Sequence, residues 1–317
     1  MKKRLFALAA AVMLLAGCSA SRVRLGAARE GGVYQQFCAA YAALSGRPTV
    51  EAKLTAGSAA NLRLLSNGYI QLAVAQSDLA ADAYNGAGLF EYEDAMNGFG
   101  AVAALYPEAC QLVVRADSDI ETPEDLQGRT VSIGEEESGT AQNAEQILSA
   151  YGLNDRLVHT VELDYTQAAE ELRSGAIDAL FCTAGTQTAV LEELAADCGI
   201  RLIAIDGMAA DRLLGTYPAY RRLTIPAGTY TGQDQDVATV GVQALLLASD
   251  NLSAAEVETL TDRLFANADT VQGAISPALL DPAAACQDLP VPLHPGADAW
   301  YRAQGLTPVQ TGEEAAA

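Results

Sequence analysis

Beyond residue 4 the chain carries a single lysine, Lys53, in 317 residues. That scarcity removes the Gly-Lys-Ser/Thr of a phosphate loop and leaves little room for a lysine Schiff base, so ATP hydrolysis and pyridoxal chemistry are poor readings. Histidine is nearly as rare. Only His159 and His294 occur, without a Cys-x-x-Cys or a His-Glu-x-x-His, and no metal ligand set can be assembled from motifs. There is no Gly-x-Ser-x-Gly elbow, and Ser249-Asp250-Asn251 stands without the Ser-x-x-Lys and Lys-Thr-Gly that accompany it in β-lactamases. Asp117-Ser118-Asp119 opens like a calcium loop but lacks the glycine and glutamate that such a loop needs further on. Neither a catalytic centre nor a cofactor is expected. Basic residues number 19 against 40 acidic ones, a net charge of −21, and such a surface is a poor partner for nucleic acid.

What is present is apolar: 50% of residues are hydrophobic and 19% charged, the composition of a folding chain. Lys2-Lys3-Arg4, an apolar run from Leu5 to Leu15 and Leu15-Ala16-Gly17-Cys18 read as an export signal, residues 1–17, too short to span a bilayer as a folded helix. The small residues before Cys18 resemble the bacterial lipoprotein box, which implies an extracytoplasmic domain lipid-anchored at Cys18; the plainer alternative is a cleaved signal with a chance cysteine. Loss of the leader takes three basic residues and leaves 16 against 40 acidic, a charge of −24. Cys38, Cys110, Cys182, Cys198 and Cys286 remain, an odd number, and they read as buried small apolar residues rather than a disulfide framework.

Along the chain, short apolar strands alternate with helical patterns. Val23 to Ala28, Val50 to Leu54, Leu72 to Ala75, Val131 to Gly134, Val158 to Leu163, Ala176 to Cys182 and Arg201 to Ile205 are predicted strands, and most lead into a helix. Ala101 to Leu105 and Leu112 to Val114 are two more. This grammar predicts an α/β fold with mostly parallel sheets. Breaks at Asp117 to Pro123 and Thr216 to Pro226 suggest two crossings of one hinge, with residues 18–116 plus 222–317 as lobe I and 117–221 as an inserted lobe II. Leu289 to Gly296, rich in proline, is predicted to run extended across the surface.

In an open parallel sheet, ligands bind beyond the carboxyl ends of the strands, where helix N-termini gather. Here those junctions share a composition: Gly31-Gly32 with Tyr34, Gly57-Ser58 with Asn61, Gln76-Ser77-Asp78, Ser138-Gly139-Thr140 and Gly185-Thr186. Free backbone N–H groups, a positive dipole end and small hydroxyls can hold a carboxylate without a lysine. The same residues are also ordinary helix caps. Arg115 could pair with a ligand carboxylate or with an acid of the hinge.

The junctions also carry a resemblance. Gly31-Gly32-Val33-Tyr34, Thr55 to Leu65, Ala75-Gln76-Ser77-Asp78, Ala103 to Glu108, Val113 to Ser118, Ser138-Gly139-Thr140, Ile225 to Tyr230 and Leu293-His294-Pro295-Gly296 resemble, in order, the TAXI family of solute receptors. The resemblance implies a type II periplasmic-binding-protein fold, two lobes that close on a small molecule. It further implies capture of an organic anion or acidic amino acid such as glutamate, and delivery to the membrane permease subunits of a tripartite ATP-independent periplasmic (TRAP) transporter. An ABC importer lipoprotein or a sensor ectodomain of the same fold is the alternative. Implied ligand contacts are Gly32, Tyr34, Gly57, Ser58, Asn61, Gln76, Ser77, Asp78, Arg115, Ser138, Gly139, Thr140 and Thr186. Two features depart from the family pattern. Glu135-Glu136-Glu137 replaces a more usual Pro-Gly, as a solvated loop or as a partner for an ammonium group, and Arg29 stands in a loop more often uncharged.

Overall fold

A computed structural model describes residues 22–273 and 280–311. The leader and Cys18 lie outside the described residues. Strands β1 (Arg22–Gly26), β2 (Thr49–Lys53) and β3 (Leu72–Gln76) pair in parallel in the order β2-β1-β3. Helices α1 (Val33–Ala43), α2 (Ser58–Ser66) and α3 (Ser77–Asn85) follow each of them in turn. In the second half, β5 (Thr130–Ser132), β6 (His159–Val161) and β7 (Ala179–Ala184) are likewise parallel, in the order β7-β5-β6, with α4 (Gly139–Ala150), α5 (Tyr165–Ser174) and α6 (Ala189–Cys198) between and after them. Strand β3 is buried throughout, as is β7, because helices cover both faces of such sheets.

Two long strands join the halves. β4 (Phe99–Arg115) and β10 (Val237–Ser249) pair with each other antiparallel from Ser249↔Phe99 to Gly241↔Ala109. One end of β10 also pairs with β3, while the far end of β4 pairs with β7 and with β8 (Ile200–Ile203). β9 (Arg221–Ile225) borders the other end of β10. The parallel share of the expectation therefore holds for the outer strands of each half, and every antiparallel pair involves β4 or β10. The sequence reading split β4 at Pro107 and passed over β10. Pro107 is tolerated because it is solvent-exposed beside the bulged part of the ladder, where a missing N–H costs little. Neither Asp117 to Pro123 nor Thr216 to Pro226 belongs to a strand shared by the two halves.

The buried side chains fall into three clusters. One, with Leu62, Leu79, Leu245 and Val291, covers one face of the first sheet. A second, with Leu112, Ile147, Phe181 and Val242, covers one face of the other. The third runs under both, from Leu25 and Phe37 to Leu180 and Leu191. Leu289 and Val291 are 1% and 0% exposed, so the proline-rich segment is not a surface strap. It forms a bridge to β4, with Ala101 N donating to the Pro292 carbonyl at 2.8 Å and His294 N to the Ala101 carbonyl at 2.8 Å. Apolar residues at every second position go inward, a periodicity that the prolines between them obscured.

Candidate ligand site

Four helix beginnings meet at the middle of the molecule. Gly32, Val33 and Tyr34 at α1, Gly57 and Ser58 at α2, Gln76 before α3, and Gly139 and Thr140 at α4 line a cavity of about 50 Å³. The end of β7 supplies Thr183 and Ala184, and Tyr165 opens α5 at its edge. The first N–H groups of a helix have no intrahelical acceptor, so α1 and α4 present donors and a positive dipole end to this space.

Hydroxyls tie the wall together. Tyr34 Oη lies 3.4 Å from Ser58 Oγ, which accepts the backbone N–H of Gln76 at 3.1 Å. Thr140 Oγ1 lies 2.7 Å from Tyr165 Oη, and Tyr165 donates to the Thr183 carbonyl at 3.0 Å. Gln76 Oε1 is buried without a partner. Two glycines allow the close approach. A side chain at Gly139 would place its Cβ 1.9 Å from Gln76 Oε1, and Gly57, at φ 135°, has room for a Cβ only 3.1 Å from Ser138 Cα.

Among the described residues one ionisable carboxyl lines the cavity, that of Glu108, and no cationic side chain does. Glu108 is 2% exposed, and Tyr34 Oη donates to its Oε2 at 2.8 Å. Burial pushes this carboxyl well above the ordinary range, while the bond from Tyr34 pulls the other way. Sequence reasoning quoted Glu108 in a motif without assigning it to the site. The signal was there: a lone acid in an otherwise apolar strand. Tyr165 and Thr183 were also passed over, although both lie at strand-to-helix ends.

The structure brings Gly32, Tyr34, Gly57, Ser58, Gln76, Gly139 and Thr140 to this one cavity. The remaining candidates sit elsewhere. Asn61 donates to the Ala27 and Val74 carbonyls at 2.6 and 2.8 Å and so ties β1 to β3. Ser138 caps α4 by accepting from Ala141 N at 3.1 Å. Arg115 forms a two-point pair with Asp117, at 2.9 and 2.8 Å, at the end of β4. Thr186 is half-buried outside the lining.

Ser77 and Asp78 face a second, larger cavity of about 770 Å³, together with Pro107, Gln146, Tyr217 and Arg221. The two cavities lie on opposite faces of β4: Glu108 points to the first and its neighbour Pro107 to the second, as successive strand residues must. The smaller one is the ligand-site candidate, because the starts of α1, α2 and α4 converge on it, whereas only the first turn of α3 reaches the other, among strand residues of β4, β9 and β10 and loops.

Across the first cavity the two halves of the chain touch directly. Ala59 N and Ala60 N donate to the Glu137 carbonyl at 3.1 and 3.3 Å, so the start of α2 is capped from the second half. Glu135 pairs with Arg29 at 2.6 Å, and Glu137 pairs with Arg63, which also holds Glu93 at 2.6 Å. Glu135 and Glu137 are thus neither free in solvent nor aimed at the cavity, their charges being met by Arg29 and Arg63 opposite, while Glu136 between them is exposed.

The profile of the NMT1-like family matches residues 25–305. Among solved structures, a protein from Bordetella bronchiseptica RB50 is 16% identical with a TM-score of 0.53, over 83% of this chain and 79% of that one. A Xanthomonas citri protein solved bound to ATP is 13% identical with a TM-score of 0.51, over 83% and 93% of the two chains. The Escherichia coli periplasmic aliphatic sulphonate binding protein SsuA is 14% identical with a TM-score of 0.47, over 81% and 73%. At such identities the likeness concerns the fold alone, an α/β architecture shared with the Bordetella and Xanthomonas proteins.

Proposed function

The chain belongs to the NMT1-like family, and on that premise we propose that it is an extracytoplasmic solute-binding lipoprotein, anchored through Cys18, whose lobes close on a small carboxylate or acidic amino acid. The observation that carries the ligand class is the polarity of the cavity. The amide ends of α1 and α4 suit a carboxylate, while Glu108 and the bare Gln76 Oε1 suit a donor with positive charge. An α-amino acid presents both groups. Asp78, an implied ligand contact, faces the other cavity, and in this reading Glu108 is the acid that meets the ammonium. Tyr34, Ser58, Gln76, Gly139 and Thr140 are the remaining contacts in this reading.

Closure needs a hinge, and the two shared strands supply it. In this reading the chain bends near Pro107 to Ala109 and near Gly241 to Gln243, which widens lobe II beyond residues 117–221. The partner for delivery is a TRAP permease, on the strength of the TAXI resemblance. Among the described residues no helix is long and apolar enough to cross a membrane. An ABC importer receptor or a sensor ectodomain would use the same site, and adjacency of the gene to a TRAP permease gene separates these readings.

Calorimetric titration with L-glutamate, L-glutamine, 2-oxoglutarate and succinate tests the ligand class. Heat from the amino acids and none from the oxo acid or succinate is expected, because those two leave Glu108 unpaired and bring no cation. Succinate binding with no response to glutamate overturns the amino-acid assignment, and silence from all four overturns the carboxylate class.

A further inference from the structure

We infer that closing the two lobes takes up one proton at Asp78, which then pairs as a carboxylic acid with the carboxamide of Asn143. The inference rests on the closure described above but not on which solute is bound. Asp78 lies in the first turn of α3 and Asn143 on α4 of the opposite lobe; they are 8% and 0% exposed. Asn143 Nδ2 donates to Asp78 Oδ2 at 2.9 Å. That leaves two oxygens, Asp78 Oδ1 and Asn143 Oδ1, buried without partners.

The side-chain donors nearby are already committed, and the backbone N–H groups of Asp78 and Leu79 at the start of α3 favour the carboxylate less strongly than burial disfavours it. Asn143 Nδ2 also donates to Tyr220 Oη at 2.7 Å, and Tyr220 gives its own hydrogen to Gln146 Oε1 at 2.7 Å. A carboxylate has no hydrogen to offer the Asn143 carbonyl. A carboxylic acid has one, and a single proton on Oδ1 satisfies both orphaned oxygens in a closed acid–amide pair.

The surrounding charges favour the neutral form. Asp82, one turn on along α3, Glu108 and Cys110 on β4, and Tyr220 before β9 are the titratable groups that act on Asp78 or feel its charge, and all of them are acids. Arg221 lines the same cavity, but its guanidinium is turned to the Pro218 and Tyr220 carbonyls. Burial pushes the Asp78 carboxyl up to about 6. When α3 and α4 part, the acid meets water and returns to the ordinary value of about 4. Between those values closure binds a proton, and the closure constant falls about tenfold per pH unit, about a hundredfold in all.

Solution scattering of the ligand-free protein from about pH 4 to pH 8, with infrared spectra of the carboxyl stretch on the same samples, tests this. As pH rises from about 4 to about 6 the protein is expected to expand and the protonated-carboxyl band of Asp78 to disappear, with no further change above that range. Asp78→Asn can pair with Asn143 without a proton, so it should stay compact across the range and lack that band. Asn143→Ser, which removes the partner carbonyl, should lose the band at pH 5 while Asp78 remains. Wild-type dimensions that ignore pH, an Asp78→Asn protein that keeps the wild-type pH response, or an Asn143→Ser protein that keeps the band would each overturn the inference. No solute enters the experiment, so a wrong ligand class leaves its result readable.

Discussion

Two glycines at the cleft should respond to the same substitution in opposite ways. Gly57 has φ 135° and ψ −152°, a region that side chains other than glycine's occupy only under strain, so Gly57→Ala costs roughly 1–3 kcal/mol before any contact is counted. Its new Cβ would also stand 3.1 Å from Ser138 Cα, a backbone atom of the other lobe that has little freedom to move. Stability and closure should both fall, with a drop in Tm of about 2–4 °C per kcal/mol. Gly139 is different. Its backbone φ is ordinary, and the Cβ added by Gly139→Ala would fall 1.9 Å from Gln76 Oε1, the far end of a side chain that can swing aside. The space open to that amide is the 50 Å³ cavity itself. Gly139→Ala should therefore keep the Tm within about 2 °C of wild type and lower solute affinity at least about tenfold, a loss of about 1.4 kcal/mol. Thermal melts and glutamate titrations of both variants make the comparison. A Gly57→Ala protein with unchanged Tm, or a Gly139→Ala protein that binds normally, refutes the cleft geometry.

Further outcomes follow from the same contacts. The raised Glu108 carboxyl binds a proton more tightly in the folded than in the unfolded chain, so its stabilising effect is present at acid pH and is lost as pH rises through its folded value. Glu108→Gln should accordingly raise the Tm more at pH 8 than at pH 5 while abolishing amino-acid binding; melts at the two pH values check the sign. Replacing both Glu135 and Glu137 by Gln removes the pairs to Arg29 and Arg63, and the ligand-free protein should expand in scattering while its Tm barely moves, since exposed pairs stabilise little. Cys198 is exposed, whereas Cys38, Cys110, Cys182 and Cys286 are buried, and a thiol reagent should modify Cys198 alone among these five in the native protein, as peptide mapping would show. Cys18→Ser should move the protein from the membrane to the soluble fraction, and retention of the variant would end the lipoprotein assignment.

The sequence alone determined the local units: strands, the helices that follow them, and the small polar residues at each junction. Gly57-Ser58 and Ser138-Gly139-Thr140 were legible because a strand end, a turn and a helix cap are set by neighbours within a few residues. Tertiary structure decided which junctions share a space. Gln76 and Asp78 stand two residues apart, yet the turn from β3 into α3 sends them to different cavities. Glu108 was hidden for a related reason. In an apolar strand it carries no local period, and it joins the cavity lining only because β4 runs through the middle of the sheet and brings it to Tyr34 of α1 at 2.8 Å. Arg29 and Glu135 each looked like an isolated departure from a family pattern, and they meet across 106 residues of chain. β10 was missed because its partners, β3, β4 and β9, are selected by pairing across long loops, and such pairing is decided by the burial of the whole sheet rather than by any short run of residues.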